Sequence, residues 1–89
     1  MPEHGRVHYN LGLLYQFLHL NLRAEAELQR ALETEPENFD FQYGLADHYI
    51  KTGQLLKAMR LAEQMVATHP DNPAGGQMLN FINRSLGRE

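Results

Sequence analysis

Apolar residues recur along the chain in steps of three and four, the spacing that gathers them on one face of a helix. The first stripe is Val7, Leu11, Leu14, Tyr15 and Leu18. A second helix is expected from about Leu22 to Glu35, with Asn21 as its N-cap. Glu25 and Glu27 fall in or near its first turn, where carboxylates suit the positive end of the helix dipole. Pro36 disfavours helix at Glu35 and has no backbone N–H to donate, so the segment ends there. Asn38 caps a third helix, about Phe39 to Thr52, for which Gly53 supplies a left-handed stop. A fourth spans about Leu55 to Thr68 and stops at Pro70. The fifth opens with Asn72 as cap and Pro73 at the first helical position, where a missing N–H costs nothing. It runs to about Leu86 and ends at Gly87. The pattern predicts an all-α chain of five helices.

These elements repeat. Laid over one another, residues 5–38 and 39–72 agree at Tyr9/Tyr43, Leu11/Leu45, Tyr15/Tyr49, Leu22/Leu56, Ala24/Ala58, Thr34/Thr68, Pro36/Pro70 and Asn38/Asn72. A fixed period in this range marks stacked repeats rather than one globular core. The period, with Leu11-Gly12, Tyr15, Ala24, Leu28, Ala31 and Pro36, resembles the tetratricopeptide repeat family. That resemblance implies an α-solenoid of antiparallel helix pairs wound into a right-handed superhelix, and a scaffold that binds other proteins. One domain over residues 5–87 is expected, with repeats at 5–38 and 39–72 and a capping helix at 73–87.

Small residues set the expected packing. Gly12 and Ala46 on the first helix of each pair should face Ala24 and Ala58 on the second, with Tyr15 and Tyr49 filling the wider part of the wedge. Interaxial distance follows side-chain size at such contacts. The first turn reads His19-Leu20-Asn21 where the second reads Gly53-Gln54-Leu55, so a looser or differently shaped first turn is expected. His48 aligns with Leu14 and Ile82, positions expected to pack between neighbouring pairs. Burial there would disfavour its charged form.

The two ends differ. The fifth helix places polar Gln77, Asn80, Asn83 and Arg84 on its remaining face, as a C-terminal cap requires for solubility. The first helix is apolar at Val7, Leu11, Leu13, Leu14, Tyr15, Phe17 and Leu18, too broad a band for a helix packed on one side only. Two coverings are expected: a preceding part of a longer protein, or a symmetric dimer through this N-terminal helix. The first is favoured because a stack needs about three repeats for stability.

Composition excludes several chemistries. With no cysteine there are no disulfides, thiolate metal sites or cysteine nucleophiles. No apolar run approaches the ~18 residues of a membrane span, and no signal-peptide core follows the start, so the default compartment is the cytoplasm. A net charge of −3 offers nothing to a phosphate backbone, so neither nucleic acid nor membrane is expected as a partner. Ser85 is the sole serine and stands in no nucleophile motif. Of the five histidines only His4 and His8 share a helical spacing, short of the three or four ligands zinc wants. No enzyme activity, cofactor or metal is expected. The acidic run over residues 25–47, with Arg30 its only basic residue, reads as a solvated face.

The resemblance places function on the concave surface lined by the first helix of each pair. By alignment with the family, Arg6, Tyr9, Asn10, Leu13 and Phe17 line it from the first unit. Asp40, Tyr43, Gly44, Asp47 and Lys51 line it from the second, and Gln77, Phe81 and Arg84 from the last helix. A protein or peptide partner is expected there, held by the aromatic rings, with Asp47, Lys51 and Arg84 setting its polarity. The alternative for Tyr9 and Tyr43 is padding between adjacent helices. Some tetratricopeptide domains clamp a C-terminal carboxylate with cationic and amide side chains. The matching positions here are Tyr9, Leu13, Gly44, Ala74 and Met78, none of them a cation, so no such clamp is expected.

Overall fold

The computed structural model describes residues 2–87, and side chains from His4 onward. Its helices are α1 (Pro2–Phe17), α2 (Asn21–Thr34), α3 (Phe39–Lys51), α4 (Leu55–Thr68) and α5 (Pro73–Ser85). Helix α1 begins earlier than its apolar stripe, because Pro2 sits at a first helical position that has no N–H to satisfy.

Two caps act as expected. The Asn38 side-chain oxygen accepts from the Phe41 N–H at 3.1 Å, and that of Asn72 accepts from the Ala74 N–H at 3.0 Å. Each satisfies a backbone donor that the first helical turn leaves open. The Asn21 cap is not made. Helix α2 starts one residue earlier, so Asn21 is already helical and Leu20 holds the cap position without a side-chain bond. The same shift carries Glu25 and Glu27 past the first turn, where they take side-chain partners instead.

The two helix-pair turns have one shape, contrary to the expected difference. Gly53 has φ +78° and His19 has φ +61°, so a histidine adopts the left-handed conformation that glycine adopts in the second unit. The hydrogen bonds match as well. The Leu20 N–H donates to the Tyr15 carbonyl at 2.9 Å, and the Gln54 N–H to that of Tyr49 at 2.7 Å. Tertiary packing of the helix pair fixes this closure, and His19 carries the steric cost of an L side chain there.

The small residues are where close approach demands them. Ala24, Ala46 and Ala58 are fully buried. A Cβ at Gly12 would lie 2.7 Å from the Leu28 side chain and 3.3 Å from the Ala24 carbonyl oxygen. The core runs continuously through Leu28, Leu45, Tyr49, Leu61, Met65, Met78 and Ile82, joining both repeats to α5. Burying an aliphatic side chain of this size contributes about 1.5–3 kcal/mol, more than any cap described above. Gln42 is also fully buried, and its amide nitrogen donates to the Pro36 carbonyl at 3.1 Å and to Thr68 Oγ1 at 3.2 Å. One side chain thereby ties α3 to the preceding turn and to the end of α4.

Candidate functional site

Helices α1, α3 and α5 present one face built from the first helix of each unit. Two clefts open on it, one on either side of α3.

The first cleft, about 490 Å³, lies between the C-terminal ends of α1 and α3. Leu13, Phe17 and Lys51 line it, with Gln16, His19, Asn21, His48 and Thr52. Phe17 is 79% exposed, an unusual degree for an aromatic ring with no polar handle. The second cleft, about 330 Å³, lies between α3 and α5, lined by Tyr43, Asp47, Gln77 and Phe81 with Ile50, Ala74 and Met78. Seven of the thirteen lining residues expected from the sequence therefore gather at two clefts.

The other six, Arg6, Tyr9, Asn10, Asp40, Gly44 and Arg84, stand elsewhere. Asn10 and Arg84 are exposed and border neither cleft. Tyr9 is packed: its ring tilts on Phe41 with centroids 5.2 Å apart, and a Cβ at Gly44 would lie 2.6 Å from its Cε1. Arg6 lies over both rings, 5.3 Å from the Tyr9 centroid and 5.0 Å from that of Phe41. Burial raises the Tyr9 phenol above its ordinary pKa, with Asp40 adding to the effect and Arg6 opposing it. Tyr9 is half-buried between α1 and α3, whereas Tyr43, 42% exposed, keeps a more open ring. Identical residues one period apart thus have different surroundings.

Two charge pairs lie on this face. Lys51 Nζ lies 2.8 Å from Asp47 Oδ2, one helical turn apart, and Arg6 lies 3.7 Å from Asp40. Beside these pairs the exposed apolar side chains of the face are Leu13, Phe17, Tyr43 and Phe81.

The floor of the first cleft holds the one buried histidine among the described residues. His48 is 1% exposed and accepts at Nδ1 from the Gln16 amide at 3.1 Å. That contact puts the ring proton on Nε2, which has no hydrogen-bond partner. The nearest carboxylate oxygen, Glu25 Oε1, is 3.6 Å away, beyond hydrogen-bond distance. Burial lowers the His48 pKa and Glu25 opposes that shift. Glu25 in turn accepts from Gln54 at 2.9 Å, bridging the two repeats behind the cleft.

Gln16, His48, Ile50 and Met78 were not among the groove residues expected from the sequence. Helical spacing could have found part of the set, since Tyr43, Asp47 and Ile50 stand at i, i+4 and i+7, and Ala74, Gln77, Met78 and Phe81 at i, i+3, i+4 and i+7. No described helix is long and apolar enough to cross a membrane. Among the described residues no group of three or more His, Asp or Glu side chains stands close enough to hold a metal ion.

Antiparallel helix pairs stacked at a fixed period define an all-α solenoid, the architecture of a helical-repeat interaction module. The chain belongs to the tetratricopeptide repeat family, which it matches over residues 21–79. Its fold is similar to a solved structure of MamA (AMB-1), with a TM-score of 0.82 at 22% identity over 99% of this chain. The chain spans about half of that protein, 48% of its length. No curated protein matches the chain in sequence. As a member of this family it is a protein–protein interaction module.

Proposed function

We propose that the chain binds a segment of a partner protein across the face of α1, α3 and α5, with apolar side chains of that segment seated in the two clefts. The observation that carries this reading is the pairing of charge and exposure. Leu13, Phe17, Tyr43 and Phe81 are open on one face while Asp47 and Lys51 neutralise each other between the clefts. Apolar contacts then supply the affinity, and the partner needs no net charge. Adjacent packed helices lie about 8–10 Å apart, so side chains entering neighbouring clefts would stand about three residues apart in an extended segment. Two anchors on so short a groove predict a dissociation constant of about 1–100 μM, roughly −5.5 to −8 kcal/mol. In this reading the chain acts by recognition rather than catalysis.

The test is selection of peptides from a random display library on the immobilised chain, followed by calorimetric titration of the winners. Phe17→Ala and Phe81→Ala are the probes, both at exposed positions that leave the core intact. Each should weaken a selected peptide by about tenfold or more. Peptides that bind both variants as tightly as the parent would refute the groove.

A further inference from the structure

We infer that the edge formed by the two helix-pair turns docks this chain on an anionic membrane surface. Phe17, Leu22 and Leu56 enter the headgroup layer there, and Arg23 and Lys57 meet the lipid phosphates.

Both helix pairs build this edge from the same places. The last residue of the first helix is Phe17 in one pair and Lys51 in the other, and the second and third residues of the next helix are Leu22-Arg23 and Leu56-Lys57. All six are exposed. The turns lie side by side: Phe17 and Lys51 line one cleft, and Gln54 of the second turn donates to Glu25 of α2 at 2.9 Å. Leu22 is 87% exposed and Phe17 79%, above every other large apolar side chain among the described residues. Stacking does not cover these places. The second pair has a helix pair packed before it and α5 after it, yet Lys51, Leu56 and Lys57 stay open. The leucine that recurs here one period apart therefore belongs to the core in neither unit.

Charge is segregated between the two edges of the molecule. Residues 4–24 and 48–62 contain no aspartate or glutamate. The acids nearest the turns are engaged, Asp47 by Lys51 at 2.8 Å and Glu25 by Gln54. Arg23 and Lys57 make no ion pair among the described residues, and neither does Arg60, one turn beyond Leu56. The opposite edge, where the His69 ring donates to the Glu37 carbonyl at 2.6 Å, exposes Glu33, Glu37, Asp40 and Asp71. The net charge of −3 averages over two edges of opposite sign.

This chemistry selects lipid over a folded protein as the occupant. Side chains that protrude singly would each need a pocket in a protein partner, whereas the headgroup layer receives them without any. Apolar groups flanked by cations match an anionic interface, the apolar parts inserted and the cations level with phosphate. The acidic far edge is repelled by the same surface, which orients the chain with its turns toward the lipid. So few contacts make the attachment weak and reversible.

Co-sedimentation with phosphatidylcholine vesicles, with and without about 30% phosphatidylglycerol, tests the proposal. The chain should pellet with the anionic vesicles alone and be released as salt rises from about 0.05 to 0.5 M. Joint replacement Leu22→Ser and Leu56→Ser should weaken partitioning about tenfold or more, and Arg23→Gln about fivefold. Val66→Ser, at an exposed position near the far end of α4, should change nothing. Leu22 and Leu56 border neither cleft, so the result is separable from peptide binding there. Equal binding to neutral vesicles overturns the proposal, as does binding unaffected by the paired leucine replacement. A chain that stays in the supernatant at about 5 mM anionic lipid also overturns it, and leaves the edge to a protein partner.

Discussion

Replacing Gly44 by alanine sets two opposing effects of known size against each other. Alanine is about 0.8–1.0 kcal/mol better than glycine inside a helix, and Gly44 sits in the middle of α3. Its new Cβ would lie 2.6 Å from Tyr9 Cε1 and 3.4 Å from Cζ and the phenol oxygen. The Tyr9 ring has little room to yield, because Phe41 packs against it and Arg6 covers it. Overpacking of this kind costs about 1–3 kcal/mol, so the net effect is a loss of about 0–2 kcal/mol. Gly76 is the internal control. It is also helical, and nothing lies within 4 Å of its Cβ position, so Gly76→Ala should stabilise the chain by about 0.8–1 kcal/mol. Removing the obstacle should change the sign: in a Tyr9→Ala background, Gly44→Ala should also stabilise by about 1 kcal/mol. Urea denaturation followed by far-ultraviolet circular dichroism measures all of these differences. A Gly44→Ala chain as much stabilised as Gly76→Ala, with Tyr9 present, would refute the packing of Tyr9 as a wedge between α1 and α3.

Two further predictions concern the turn and the buried histidine. His19→Gly should relieve the left-handed strain at φ +61° and stabilise by about 1 kcal/mol, raising the melting temperature by about 4–8 °C, while Gly53→His should cost a similar amount. Equal melting temperatures for all three chains would mean that the turns carry no such strain. Because burial lowers the folded pKa of His48, its contribution is fully present above the unfolded value of about 6.5. As the pH falls below that value the unfolded chain takes the proton first, so stability declines, by at most about 1.4 kcal/mol per pH unit for one proton. The decline levels off once the folded His48 is itself protonated, with Glu25, Asp47 and Lys51 as the charged neighbours that set that point. His48→Leu should abolish this part of the pH dependence between pH 7 and pH 5, and an unchanged slope would remove His48 from the account.

Much of the architecture was legible in the chain because repeat proteins are held together by local and nearest-neighbour contacts. Period, helix number, the Asn38 and Asn72 caps, and the small residues at the helix-pair contact all follow from residue types at fixed spacing. Where spacing alone was insufficient, the deciding contact came from another helix. Asn21 had the right side chain for a cap, yet the closure of the first helix pair drew it into α2. His19 takes the conformation of glycine because that same closure requires it. Tyr9 and Tyr43 are one residue in the repeat alignment, but Phe41 and Gly44 enclose the first while α5 leaves the second open beside a cleft. The sequence by itself determined the repeat, the helices and the family, since these depend on periodicity and backbone chemistry. Which aromatic is wedge and which is open surface, how the clefts divide around α3, and which apolar face stays bare were decided by the tertiary structure, because exposure depends on what lies on the far side of each residue.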